Sequence, residues 1–91
     1  MGKFRLGQTV MTRGVSDYVV ENRLHVELHE LFLRHYNGDW GNVPREDKKY
    51  NDQALKNGER LVSKYKLGDE DVYIITEWDR SVTTVLFPSE Y

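Results

Sequence analysis

Residues 60–88 read RLVSKYKLGDEDVYIITEWDRSVTTVLFP. Val, Ile, Tyr, Thr and Phe dominate this stretch, and these residues fit the pleated, half-buried surface of a sheet. Two clusters of turn residues divide it. The pattern predicts strands over Arg60–Leu67, Asp71–Glu77 and Ser81–Phe87, joined by turns at Gly68-Asp69-Glu70 and Trp78-Asp79-Arg80. The middle run, Val72-Tyr73-Ile74-Ile75, is apolar on both faces, which predicts a central strand covered on both sides. The last run alternates, with Val82, Thr84 and Leu86 on one face and Thr83, Val85 and Phe87 on the other.

Working outward, the preceding segments read as material laid against that sheet. Residues 45–57 are polar but rich in helix formers, and Asn57-Gly58 closes them. Tyr50, Ala54 and Leu55 are the expected buried side of this helix. Upstream, Leu24, Leu28, Leu31, Phe32 and His35 recur at helical spacing, and Asn37-Gly38 marks the stop. Ser16 is the expected cap of an earlier helical pattern that stalls at Asn22. Gln8 to Arg13 reads as a short strand whose place in the sheet the pattern leaves open. Residues 39–44, DWGNVP, form a loop around Trp40, a large apolar side chain that a chain of 91 residues is expected to bury. The expected fold class is α+β: a short N-terminal strand, helices, then a three-stranded antiparallel meander packed against the helices, all in a single domain over residues 1–91.

Composition narrows the function classes. Thirteen Lys and Arg against fifteen Asp and Glu give a net charge of −2, which disfavours a dedicated nucleic-acid binder. There is no cysteine, so disulfides and thiolate metal sites are excluded. No apolar run approaches the roughly 20 residues that span a bilayer, and the first ten residues have no secretory character. A cytoplasmic protein with no cofactor and no membrane partner is expected.

Three constellations bear on chemistry. His25, His29 and His35 carry the histidine spacing of the long zinc-protease motif. Val26 stands where the general-base glutamate belongs, and Phe32 where the turning glycine belongs. On one continuous helix His35 lies about 15 Å along the axis from His25, so no shared metal is expected. The second constellation is Asp39, Asp47, Glu77, Asp79 and Arg80, with Arg34 and His35 nearby in the chain. A loop folded over one end of the sheet would gather these carboxylates near Arg80, with Trp40 beneath. Such a cluster either binds a ligand, holds a hard metal for hydrolysis, or is a structural tie in which Arg80 pairs with a carboxylate. The third is aromatic: Trp40, Trp78, Tyr73 and Tyr91 offer a stacking surface for a base or a peptide. Ser63, Thr76, Ser81, Thr83 and Thr84 read as strand formers, because no nucleophile motif surrounds them.

The motifs across residues 31–91 resemble those of small plasmid-related proteins encoded on bacterial plasmids, integrated elements and phages. The resemblance rests on Arg34-His35, Gly38 to Gly41, Asp47, Asn51, Gly58, Arg60, Ser63, Tyr65, Thr76, Glu77, Asp79, Arg80, Thr83, Thr84, Pro88 and Tyr91. It implies a mobile-element setting and no particular reaction. The expected function is a non-enzymatic accessory binding module that takes a protein or a small polar ligand and counters a host defence. His35, Asp39, Trp40, Asp47, Glu77, Asp79 and Arg80 are the expected ligand-binding residues. The alternative is a small metal-dependent hydrolase or nuclease using Asp39, Asp47, Glu77 and Asp79.

Overall fold

The computed structural model describes residues 2–91. Its elements are β1 (Gln8–Met11), α1 (Arg13–Asn22), α2 (His25–Tyr36), α3 (Arg45–Asn57), β2 (Leu61–Leu67), β3 (Glu70–Thr76) and β4 (Val82–Leu86), followed by a short 3-10 turn (Pro88–Glu90). The class is α+β. The expected meander is present, with β2 and β4 both antiparallel to β3. The expectation of a three-stranded sheet is corrected to four strands in the order β1-β4-β3-β2. β1 joins the open side of β4 in parallel, from Gln8 opposite Val82 to Met11 opposite Val85. Its short sequence holds no signal for that choice. Only the finished meander presents the row of backbone groups it pairs with.

The first helix also departs from expectation. It starts at Arg13, the last residue of the expected strand, and its cap is Thr12 rather than Ser16. The Thr12 hydroxyl oxygen accepts from the Val15 N–H at 3.3 Å, and its proton goes to Glu90 Oε1 at 2.8 Å. α1 has no acidic residue in its own first turn. Glu90, from the far end of the chain, supplies the carboxylate at this positive helix end. Gly14 leaves room for it, since a Cβ there would sit 2.7 Å from Glu90 Oε2.

α1 and α2 cover one face of the sheet. Val15 and Val19 of α1 and Leu28 and Leu31 of α2 pack with Tyr65, Leu67, Val72, Ile74 and Val85. A second apolar cluster joins Trp40, Val43, Ala54 and Leu61, with Phe4 and Leu55 against it. Trp40 is buried, as its size demands, and its Nε1–H donates to Asp52 Oδ1 at 3.0 Å.

α3 turns a different side inward than expected. Ala54 is buried, but Tyr50 is exposed and Asn51 takes the inner position. β2 is a sheet edge, and its outward backbone groups need partners. The Asn51 amide supplies them at Val62: Nδ2–H donates to the Val62 carbonyl at 2.8 Å, and Oδ1 accepts from the Val62 N–H at 3.2 Å. One residue pair further on, the Trp40 loop does the same for Lys64. The Lys64 N–H donates to the Trp40 carbonyl at 3.1 Å, and Asn42 N–H donates to the Lys64 carbonyl at 2.7 Å. Gly41, between them, has φ 75° and lies on the Lys64 carbonyl and the Tyr65 ring, where no Cβ fits.

Candidate functional site

His35 comes from the last turn of α2 and is fully buried. Ser63 Oγ lies 2.5 Å from its Nδ1, and Thr76 Oγ1 lies 2.8 Å from its Nε2. The chain continues to Thr83 Oγ1 at 2.6 Å, and Thr83 donates to the Leu6 carbonyl at 2.7 Å. A carbonyl only accepts, which sets the direction of the bonds from Leu6 back to His35 Nε2. Thr83 spends its proton on Leu6 and accepts from Thr76. Thr76 then accepts from His35 Nε2–H, and Nδ1 accepts from the Ser63 hydroxyl. Burial keeps the imidazole neutral, and it is this that makes Nδ1 an acceptor. Burial, and secondarily the positive Arg80 nearby, pushes its pKa down to about 3. A serine donating to a histidine is the pairing of an activated nucleophile. Ser63 here is 0 % exposed, so no substrate reaches it. The strand assignment of Ser63, Thr76 and Thr83 is correct. Sequence reasoning missed that their inward hydroxyls form one relay through His35, which is expected among the ligand-binding residues and is here fully buried and bonded at both ring nitrogens.

The expected carboxylate cluster is not assembled. Asp39 pairs with Arg34 of its own helix end, Nε to Oδ2 at 2.8 Å. That bond holds the Asp39 carboxyl below its ordinary range and raises Arg34. Glu77 pairs with Arg60 at 3.4 Å. Asp79 stays inside its own turn, accepting from the Ser81 hydroxyl at 2.7 Å and the Ser81 N–H at 3.1 Å, which lowers its pKa. Asp47 stands apart, on the first turn of α3. Among the described residues no group of three or more His, Asp and Glu is placed to hold a metal ion.

Arg80 is the largest correction within that set. Its guanidinium pairs with no carboxylate among the described residues. It donates to the carbonyls of Glu59 at 2.6 Å, Glu77 at 3.1 Å and Ala54 at 3.1 Å. Its carbon also lies 5.8 Å from the centroid of the Phe4 ring. The backbone of Arg80 is left-handed, with φ 60°, in the turn from β3 to β4. From there the side chain reaches the C-terminal end of α3, where the helix dipole favours a cation. Composition gives no sign of this use, because carbonyl partners leave no charged residue to read.

A different place offers surface. Beyond the capped edge of β2, on the sheet face opposite α1 and α2, a groove of about 520 Å³ runs between α3 and the strands. Asp47, Tyr50 and Asn51 line it from α3, Val62, Lys64 and Tyr73 from the sheet, and Asn42, Val43 and Pro44 from the loop. Tyr91 completes it, 68 % exposed. The Tyr73 and Tyr91 rings lie 5.5 Å apart, and the Tyr91 hydroxyl accepts from Arg60 at 3.3 Å. Tyr50 stands on α3, 53 % exposed. Lys64 is held by Asp71 at 3.9 Å and lies 6.0 Å from the Tyr73 centroid. Of the four expected stacking aromatics, Tyr73 and Tyr91 meet here, Trp40 is buried, and Trp78 stands 67 % exposed in the β3–β4 turn. Tyr50 was missed because period alone placed it inside the helix face. Of the expected ligand-binding residues only Asp47 lines this groove.

Among the described residues no helix is long and apolar enough to cross a membrane. In comparisons with known proteins, no protein-family model, no curated protein and no solved structure matches this chain.

Proposed function

We propose that this protein is a non-enzymatic binding module that takes a segment of a partner protein in the groove between α3 and the open sheet face. The observation that carries the reading is the Tyr50, Tyr73 and Tyr91 set lining one groove, with two of the three rings more than half exposed. Exposed tyrosines give large, rigid contact area at small entropic cost and are enriched in binding hot spots. The net charge of −2 favours a protein ligand over a nucleic acid. The resemblance of residues 31–91 to plasmid-related proteins supports an accessory role on a mobile element, with a component of host defence as the kind of partner it meets.

The test is selection of ligands from a random peptide library displayed on phage, with the intact chain as bait. Selected peptides should perturb amide resonances of Asp47, Tyr50 and Tyr73 and lose binding to the Tyr50→Ala/Tyr91→Ala variant. That double variant should melt within a few degrees of wild type, since both side chains are exposed. Peptides that bind the variant unchanged, or that perturb only the Trp78 turn, would remove the groove from the function.

A further inference from the structure

We infer that the groove recognises a proline-rich segment in the polyproline II conformation carrying a basic residue; this deepens the proposal above and rests on it. Extended peptides commonly bind a sheet by adding a strand to its edge, which requires free backbone groups there. At this groove the edge is already used. Val62 is bonded by the Asn51 amide at both its N–H and its carbonyl, and Lys64 by Trp40 and Asn42. A ligand therefore gains no ladder hydrogen bonds from this stretch of β2. It must bind through side-chain surfaces and scattered single hydrogen bonds.

A polyproline II helix meets those terms. It makes no internal hydrogen bonds, its carbonyls point outward, and it is stiff before it binds, so ordering it costs little. Its proline rings pack on flat aromatic faces, and tyrosine hydroxyls donate to its carbonyls. The groove offers such faces on two walls, Tyr50 from α3 and the Tyr73–Tyr91 pair from the sheet. Charge then orients the ligand. Lys64 shares Asp71 with Lys66, at 3.9 and 3.3 Å, whereas Asp47 makes no ion pair among the described residues. Asp47 thus leaves an unpaired carboxylate in the α3 wall of the groove, and a Lys or Arg on the ligand complements it.

The experiment titrates the 15N-labelled intact chain with synthetic twelve-residue peptides. One contains a Pro-x-x-Pro core flanked by Arg, a second has both prolines replaced by Ala, and a third has the Arg replaced by Glu. The expected result is saturable shifts at Asp47, Tyr50 and Tyr73 with the first peptide. Each of the other two should bind about tenfold or more weakly. Asp47→Asn should weaken the Arg peptide toward the level of the Glu peptide and leave the Glu peptide unchanged or improved. Equal binding of the proline and alanine peptides overturns the inference. So does an absence of shifts with all three while library-selected peptides of other composition still perturb the groove, an outcome that leaves the proposed function standing. Absence of groove shifts with every peptide, selected or designed, sinks both.

Discussion

His35 shows how much one buried polar residue commits. Its two nitrogens are satisfied by Ser63 and Thr76, and its pKa lies near 3 rather than its ordinary 6.5. The folded state therefore binds fewer protons than the unfolded state between those values, so stability rises with pH across that window. The contribution is complete above about pH 6.5 and is lost as pH falls toward 3. Asp and Glu have ordinary pKa values near 4, so the interval from about pH 5 to 6.5 reports mainly on histidine. Denaturant melts across that interval should show a rising midpoint for wild type and a flatter profile for His35→Gln. His35→Ala should cost on the order of 3 kcal/mol, from the cavity and the orphaned Ser63 hydroxyl.

Arg80 and Asp39 separate by the same reasoning. Arg80→Ala keeps a left-handed non-glycine residue and strips donors from the Ala54, Glu59 and Glu77 carbonyls. A loss of about 2 kcal/mol is expected. Arg80→Gly loses the same bonds but relieves the backbone, and should melt above Arg80→Ala. Asp39→Asn breaks an exposed ion pair and should change stability by less than about 1 kcal/mol. Thermal melts of the three variants check the ranking.

At the scale of elements, the joint between α3 and β2 is decisive. Asn51→Leu keeps the branching of the side chain and is the better helix former, yet leaves both backbone groups of Val62 without their partner. It should cost about 2 kcal/mol and speed hydrogen exchange at the Val62 amide, while amides in the centre of β3 retain their protection. Gly41→Ala attacks the other closure. Its Cβ would collide with the Lys64 carbonyl, and its φ of 75° disfavours any side chain. Loss of the Asn42 and Trp40 bonds to Lys64 should follow, read as a lowered melting temperature and faster exchange at the Lys64 amide. Either variant bares an edge strand, so light scattering should also rise on heating.

For the whole molecule, β1 closes the longest loop. It pairs with β4 across nearly the full chain, whereas β2, β3 and β4 pair with their neighbours in sequence. Long loops cost entropy before contacts repay it, so the meander should form first and β1 dock late. Val10→Ala should then raise the unfolding rate and leave the folding rate almost unchanged in a chevron analysis. A slowed folding limb would place β1 in the nucleus instead.

The sequence by itself determined the meander, the helix stops at Gly38 and Gly58, and the burial of Trp40. Each follows from a local preference: β-branched runs, left-handed glycines, or apolar area too large to leave in water. Tertiary structure decided the rest. β1 chose its partner from the edge the meander left open, Thr12 displaced Ser16 as a cap because Glu90 arrives from the other end of the chain, and Tyr50 yielded the inner position to Asn51 because β2 needed a donor and an acceptor. The candidate groove belongs to this second class. Its walls come from residues far apart in sequence, brought together by strand register and helix phase. Three of the four carboxylates that stand out in the chain are held by a neighbour, Asp39 by Arg34, Glu77 by Arg60 and Asp79 by Ser81, because charged groups take the nearest partner the fold supplies.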